Sequence, residues 1–138
     1  MKHKILFLMV ARGGSKGIPK KNISKIGGIS LVGIRALSAR NKSYFSRLIM
    51  STDDEEIADE ARAYSIEVLF MRPGHLAGDN SSSVDVVKHA IEWVEKNDKA
   101  KYDAIFLAEP SSPFCRPCDI EMAIDIYETS HPDLVVSV

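Results

Sequence analysis

The chain has no acidic residue before Asp53. Up to that point it carries eleven basic ones: Lys2, Lys4, Arg12, Lys16, Lys20, Lys21, Lys25, Arg35, Arg40, Lys42 and Arg47. From Asp53 onward seven Lys or Arg face nineteen Asp or Glu, a balance of −12. Such asymmetry points to an anionic partner on the basic side. The alternative is a solvated basic face offset by acidic helices. A nucleic-acid arm is disfavoured, because the basic residues sit among strong apolar segments and few aromatics accompany them. Cysteine is equally scarce. Cys115 and Cys118 alone cannot build a disulfide framework, and no export signal is visible, so a reducing, cytoplasmic location is expected. Long apolar runs are missing too. The longest, Ile5–Ala11, is far too short to span a bilayer and passes into Arg12 without a cleavage site, so no membrane partner is expected. There is no repeat and no low-complexity tract. The 138 residues are expected to form a single α/β domain, 1–138.

What is present alternates between two periods. Continuous or alternating apolar runs predict strands at Ile5–Val10, Arg47–Ser51, Ile66–Phe70, Tyr102–Ala108 and Leu134–Val138. Between them lie helical patterns. Ser30 caps one through Arg40, with Leu31, Ile34 and Leu37 on one face. Asp53 or Asp54 caps the next, with Ile57, Ala58, Ala61 and Tyr64. Ser83 caps a third carrying Val84, Val87, Ile91 and Val94, with Trp93 in a packing role. Asp119 caps a fourth with Ile120, Ala123, Ile124 and Tyr127, stopped at His131-Pro132. Gly27-Gly28 makes a turn. This order predicts a mainly parallel sheet, whose strand-to-helix loops 11–22, 71–82 and 108–118 share the edge where open α/β sheets bind ligands.

The first of these loops reads Ala11-Arg12-Gly13-Gly14-Ser15-Lys16-Gly17-Ile18-Pro19-Lys20-Lys21-Asn22. Its glycines let backbone N–H groups approach an anion, Ser15 adds a hydroxyl, and Arg12, Lys16, Lys20 and Lys21 supply charge for a triphosphate. Neither a Walker A pattern nor Gly-x-Gly-x-x-Gly is present, so neither a P-loop ATPase nor a dinucleotide enzyme is indicated. A flexible surface loop with glycines serving turns is the plainer alternative.

This segment resembles the signature of the acylneuraminate (sialic-acid-type) cytidylyltransferases, Ala-Arg-x-x-Ser-Lys-Gly-x-Pro-x-Lys-Asn. Ser51-Thr52-Asp53, Arg72-Pro73, Leu76-Ala77-Gly78-Asp79, Ser82-Ser83 and Pro110-Ser111-Ser112-Pro113 follow in the family's order. The resemblance runs from about Ile5 to Val138. It implies a Rossmann-like three-layer α/β/α nucleotide-diphospho-sugar transferase fold, truncated at the carboxyl end. It also implies CTP and a nine-carbon sugar acid of the sialic, legionaminic or pseudaminic type as partners, with Mg²⁺ as cofactor. By matching positions, Arg12 and Lys21 take catalytic roles at the triphosphate. Ala11, Gly13, Gly14, Ser15, Lys16, Gly17 and Asn22 complete the phosphate side. Arg72, Asn80, Ser81, Ser82 and Ser83 match the cytosine-reading loop. Glu109 stands near the sugar where the family usually has Gln. The family's Asp pair for Mg²⁺ and its dimer-building segment lie downstream of Val138, so no metal ligand is assigned. The chain is expected to be a fragment or a shortened product that turns over poorly alone.

Other readings stay open. Cys115-Arg116-Pro117-Cys118 sits where a thioredoxin-type pair would. His3, His75, His89 and His131 lack zinc spacing. Asp79 can orient its loop, approach a metal or serve an Asx turn. A nucleotide-binding module without catalysis is the non-enzyme alternative.

Overall fold

The computed structural model describes residues 3–14, 20–39, 42–78, 80–111 and 115–136. Its centre is strand β1, Ile5–Val10, in which Leu6, Phe7, Leu8 and Met9 are wholly buried. A strand this apolar on both faces needs cover on both. It sits in the middle of a parallel sheet, between β4 (Arg47–Ser51) and β5 (Ala104–Ala108), with Phe7 in register with Leu48 and Phe106. Alternate residues split into two cores. Ile5, Phe7 and Met9 pack beneath α1 (Leu31–Ser38), α2 (Glu55–Ala63) and α4 (Pro117–Ser130). Leu6, Leu8 and Ile49 meet Ala90 and Val94 of α3 (Ser83–Asp98). Each such large side chain contributes about 1.5–3 kcal/mol on burial. The result is a three-layer α/β/α arrangement.

A small antiparallel ribbon, β2 (Lys25–Ile26) and β3 (Ile29–Ser30), precedes α1. Gly27 and Gly28 turn it with φ of 60° and 85°, as the predicted turn requires. Ser30 caps α1 as expected, its Oγ accepting from Gly33 N at 2.9 Å. The buried face of α1 differs from the predicted one. Val32, Ala36 and the following Ala39 enter the core, whereas Leu37 is 40% exposed. On α3 the core face is Val86, Ala90 and Val94, and Val84 is 62% exposed. Of the expected faces, Leu31 and Val94 are buried, and Val87 and Ile91 pack half-buried against the second core.

Two caps also move, and a third is decided between two candidates. Of the two residues expected to cap α2, Asp54 does so, accepting from Glu56 N and Ile57 N. Ser82, not Ser83, caps α3, accepting from Asp85 N at 3.1 Å. Arg116 is the N-cap of α4, and Asp119 reaches back from inside the helix to accept its N–H at 2.9 Å. The caps expected for α3 and α4 thus lie one and three residues late.

Two predicted strands are not formed as such. In Ile66–Phe70 a bridge joins Glu67 to Ile49, with Glu67 N donating to Leu48 O and Met50 N to Glu67 O. The chain then leaves the edge, and Leu69 and Phe70 pack towards α3 instead. Of Leu134–Val138, Ser137 and Val138 lie outside the described residues; among the described residues Leu134–Val136 has no sheet partner, and Leu134 and Val136 are 76% and 64% exposed.

At the amino-terminal end of β4, Arg47 joins Glu67 (Nε to Oε2, 2.6 Å) and Asp98. The Arg47 hydrogen bond holds the Asp98 carboxyl below its ordinary value, with burial opposing. A depressed folded-state pKa adds stability above the unfolded pKa and loses it as pH falls through the folded one. Asp98→Asn should therefore lower stability at neutral pH by about 1 kcal/mol or less. The difference from the parent should shrink as pH drops below about 4. Urea titrations across that range measure it.

Candidate functional site

Because the strands are parallel, their carboxyl ends fall together: Val10 is in register with Ser51, and Met9 with Ala108. The predicted shared edge is therefore real. A cleft of about 300 Å³ opens there. One side is Ala11, Arg12, Lys21 and Asn22; the other is Leu76, Gly78, Ser81, Ser83, Val86 and Val87; Glu109, Pro110 and Ser111 complete it from β5.

The basic side is tied down. Asn22 is 6% exposed, in a short 3-10 turn, and its Nδ2 donates to Arg12 O at 3.1 Å. That leaves its second N–H and its Oδ1 for a ligand. Gly13 N donates to Asp53 Oδ1 at 3.0 Å, so the Asp53 read as a helix cap is a loop tether instead. Lys20 is not a free phosphate cation. Its Nζ pairs with Glu56 Oε1 at 2.5 Å, which raises its pKa. Lys21 lines the cleft with no carboxylate partner among the described residues.

Arg72, matched to the cytosine-reading loop, lines the cleft, yet it is only 7% exposed. Its Nε donates to Ser51 Oγ at 3.1 Å, Nη2 to Ser51 O at 2.7 Å and Ala11 O at 2.9 Å, and Nη1 to Leu76 O at 3.3 Å. Four of its five N–H groups are thus engaged by the chain itself, leaving one for a base. Burial pushes its pKa down; nearby Asp53 opposes this and Arg12 adds to it.

The loop before α3 is organised by its own serines. Ser81 Oγ donates to His75 O and accepts from Gly78 N, both at 3.1 Å. Ser81 and Ser83 reach the cleft, whereas Ser82 is occupied at the helix cap, and Asn80, Gly13 and Gly14 do not line it. Ser15, Lys16, Gly17 and Asp79 lie outside the described residues. The sequence reading missed the apolar wall of Val10, Val86, Val87 and Leu107. Its signal was present, as apolar residues at the first turn of a helix that starts on the ligand edge. A flat aromatic or heterocyclic ring suits such a wall, and the hydroxyls and free backbone groups beside it suit the polar edge of a base. The opposite, cationic side suits phosphates.

Among the described residues no group of three or more His, Cys, Asp or Glu could hold a metal ion, so they do not by themselves make a Mg²⁺ site. Cys115 and Cys118 are free thiols. No described helix is long and apolar enough to cross a membrane.

The chain is 34% identical over 134 residues to post-translational flagellin modification protein B of Campylobacter coli, covering 97% of this chain and 57% of that protein. It is 36% identical over 110 residues to CMP-N,N'-diacetyllegionaminic acid synthase of Campylobacter jejuni, covering 80% and 47%. The chain thus spans about half the length of the curated relatives it matches. Its fold superposes on a solved CMP:2-keto-3-deoxy-manno-octonic acid synthetase complexed with CTP with a TM-score of 0.72, at 22% identity, over 95% of this chain and 49% of that one. Residues 6–136 match the family model described as cytidylyltransferase, and the chain belongs to that family.

Proposed function

We propose that this chain forms the CTP-binding part of a nucleotidyltransferase that activates a nine-carbon sugar acid of the sialic, legionaminic or pseudaminic type. The observation that carries the reading is the cleft itself, which brings Arg12, Lys21 and Asn22 together with Val10, Val86, Val87 and Leu107 and with Ser81, Ser83 and Ser111. In the reaction a sugar hydroxyl attacks the α-phosphorus of CTP. The new P–O bond forms as the bond to pyrophosphate breaks, giving CMP-sugar. In this reading Arg12 and Lys21 hold the triphosphate oxygens as charge moves onto the leaving pyrophosphate, which their place in the cleft lining supports. Arg72 acts chiefly by holding the cleft's two sides together, with its one remaining N–H available to cytosine. Mg²⁺ would supply further charge neutralisation on the triphosphate. A cytoplasmic location agrees with the free thiols.

A thermal-shift panel of CTP, UTP, GTP and ATP tests the base assignment: CTP should stabilise most. No response to any nucleotide would end the reading. Lys21→Ala should weaken CTP binding by about 10- to 100-fold through loss of one charge-assisted contact, with little change in melting temperature. Titration calorimetry measures this, and an unchanged affinity would remove Lys21 from the phosphate site. Because the chain spans about half its relatives' length, a binding module without turnover is the second reading. Pyrophosphate release in the presence of CTP, Mg²⁺ and sugar acids separates the two.

A further inference from the structure

Among the described residues four that are not glycine have positive φ: Lys20, Ser65, Lys99 and His131. Three of them close the carboxyl ends of α2, α3 and α4, where a left-handed residue is ordinary. Lys20 does not. It precedes the 3-10 turn Lys21–Ile23, with φ 51° and ψ 41°, and its side chain makes no capping bond to that turn. In this conformation the Cβ is crowded against the following carbonyl, and glycine is the usual occupant. Lysine brings what glycine lacks, a side chain, and here that side chain is engaged. Its Nζ donates to Glu56 Oε1 at 2.5 Å. The Lys20 carbonyl is engaged as well, accepting from Ile23 N and Ser24 Oγ, both at 3.2 Å.

Glu56 is a fixed anchor. It lies in the first turn of α2, capped by Asp54, and its neighbour Ile57 is 2% exposed. The residues just before that turn hold the other end of the basic loop. Asp53 accepts from Gly13 N at 3.0 Å, and a Cβ on Gly13 would stand 2.5 Å from Asp54 Oδ2. The loop is therefore attached to the amino end of α2 twice, at Gly13 and at Lys20. Directly after the second attachment come Lys21 and Asn22, which line the cleft. Resting on the nucleotidyltransferase reading, we infer that Glu56 is a positioning residue of the nucleotide site: through Lys20 it holds the left-handed backbone that delivers Lys21 and Asn22 to the cleft. An exposed pair adds little to global stability. Its effect is local, because a loop that is binding-competent only part of the time lowers apparent affinity by that fraction. The Lys20 amine is then a handle for the backbone and not a phosphate ligand.

The test is calorimetric titration of the full chain with CTP, at a temperature where the melting curve shows every variant folded. Salt near about 0.15 M limits bare charge effects to about 8 Å. Glu56→Ala and Lys20→Ala should each weaken CTP binding by about fivefold, the size of one left-handed residue's backbone cost. Lys20→Gly carries no such cost and should stay within about twofold of the parent, although it lacks the amine. In the Lys20→Gly background Glu56→Ala should change affinity by less than about twofold, because its route to the site is gone. Equal losses in Lys20→Gly and Lys20→Ala overturn the assignment, since the amine itself would then serve the phosphates. So does a Glu56→Ala variant that binds CTP as tightly as the parent, the pair then serving stability alone, or more tightly, the pair then withholding a cation. An undiminished Glu56→Ala loss in the Lys20→Gly background overturns it too, because Glu56 would not be acting through Lys20. A parent that binds no CTP removes the nucleotidyltransferase reading, and this inference with it.

Discussion

Arg72→Ala should destabilise the fold by about 3–5 kcal/mol, from several acceptors left without their donor at about 1–3 kcal/mol each and from the cavity left behind. The guanidinium is the common partner of three segments: Ala11 after β1, Ser51 at the end of β4, and Leu76 in the loop towards α3. Removing it leaves Ala11 O and Leu76 O without this donor, at about 1–3 kcal/mol for each buried group left unsatisfied. Ser51 O loses less, because Ala11 N also donates to it at 3.2 Å. Truncation adds a cavity as well. Arg72→Lys should fall between parent and alanine, since an ammonium is a point donor and cannot fork across Nε, Nη1 and Nη2. CTP affinity separates bracing from base contact. If Arg72 mainly braces, Arg72→Lys should lose CTP affinity in proportion to lost stability, and lower temperature should restore it. If its remaining N–H dominates, the affinity loss should persist at temperatures where the variant is fully folded. Denaturant titration giving a loss under about 1 kcal/mol for the alanine variant would mean that the network is far weaker than its geometry indicates.

The contrast between Arg72 and Lys21 shows what the sequence could and could not reveal. Both are basic residues in polar loops after strands, and the sequence pattern treats them alike. Only the fold decides that one is 7% exposed and the other lines the cleft with no carboxylate partner among the described residues. The central strand was legible because a run buried on both faces leaves little ambiguity, and Ile5–Val10 is found as expected. The shared ligand edge was legible for a topological reason: parallel strands must put their carboxyl ends together. The edge segment at 66–70 was not. Its composition is that of a strand, but whether an edge segment pairs over one residue or five depends on what draws the chain away. Here Arg72 N donates to Thr52 O at 2.7 Å and carries the chain across the end of the sheet. The caps were ambiguous for a different reason. Ser82-Ser83 and Asp53-Asp54 each offer two competent residues, and the unused member then acquires another task. For Asp53 that task is holding Gly13, 40 residues away in sequence, which no local rule could indicate.

Gly33 carries the second large effect. It lies in the first turn of α1, where glycine costs about 1 kcal/mol relative to alanine. The reason it is tolerated lies across the interface. A Cβ at this position would stand 2.5 Å from Tyr64 Cζ, 2.6 Å from Tyr64 Cε2 and 2.9 Å from Ile29 Cγ2. Tyr64 is the C-cap of α2, so the absent methyl sets how closely α1 and α2 approach. Gly33→Val should destabilise by about 3 kcal/mol or more, because a branched side chain overpacks the contact and is stiff at χ1. Gly33→Ala sets about 1–3 kcal/mol of overpacking against its gain in helix propensity, so it should be mildly destabilising. The cleft should feel the change as well. α1 packs on the 3-10 turn bearing Lys21 and Asn22, and Leu31 N donates to Ser24 O just beyond that turn. A double-mutant cycle isolates the contact. In a Tyr64→Ala background the ring is gone and only the Ile29 Cγ2 contact at 2.9 Å remains, so Gly33→Ala should be clearly less destabilising than in the parent, by up to the full cost of the ring clash. If Gly33→Ala instead destabilises equally with and without the Tyr64 ring, the clash with Tyr64 is not what keeps glycine at this position.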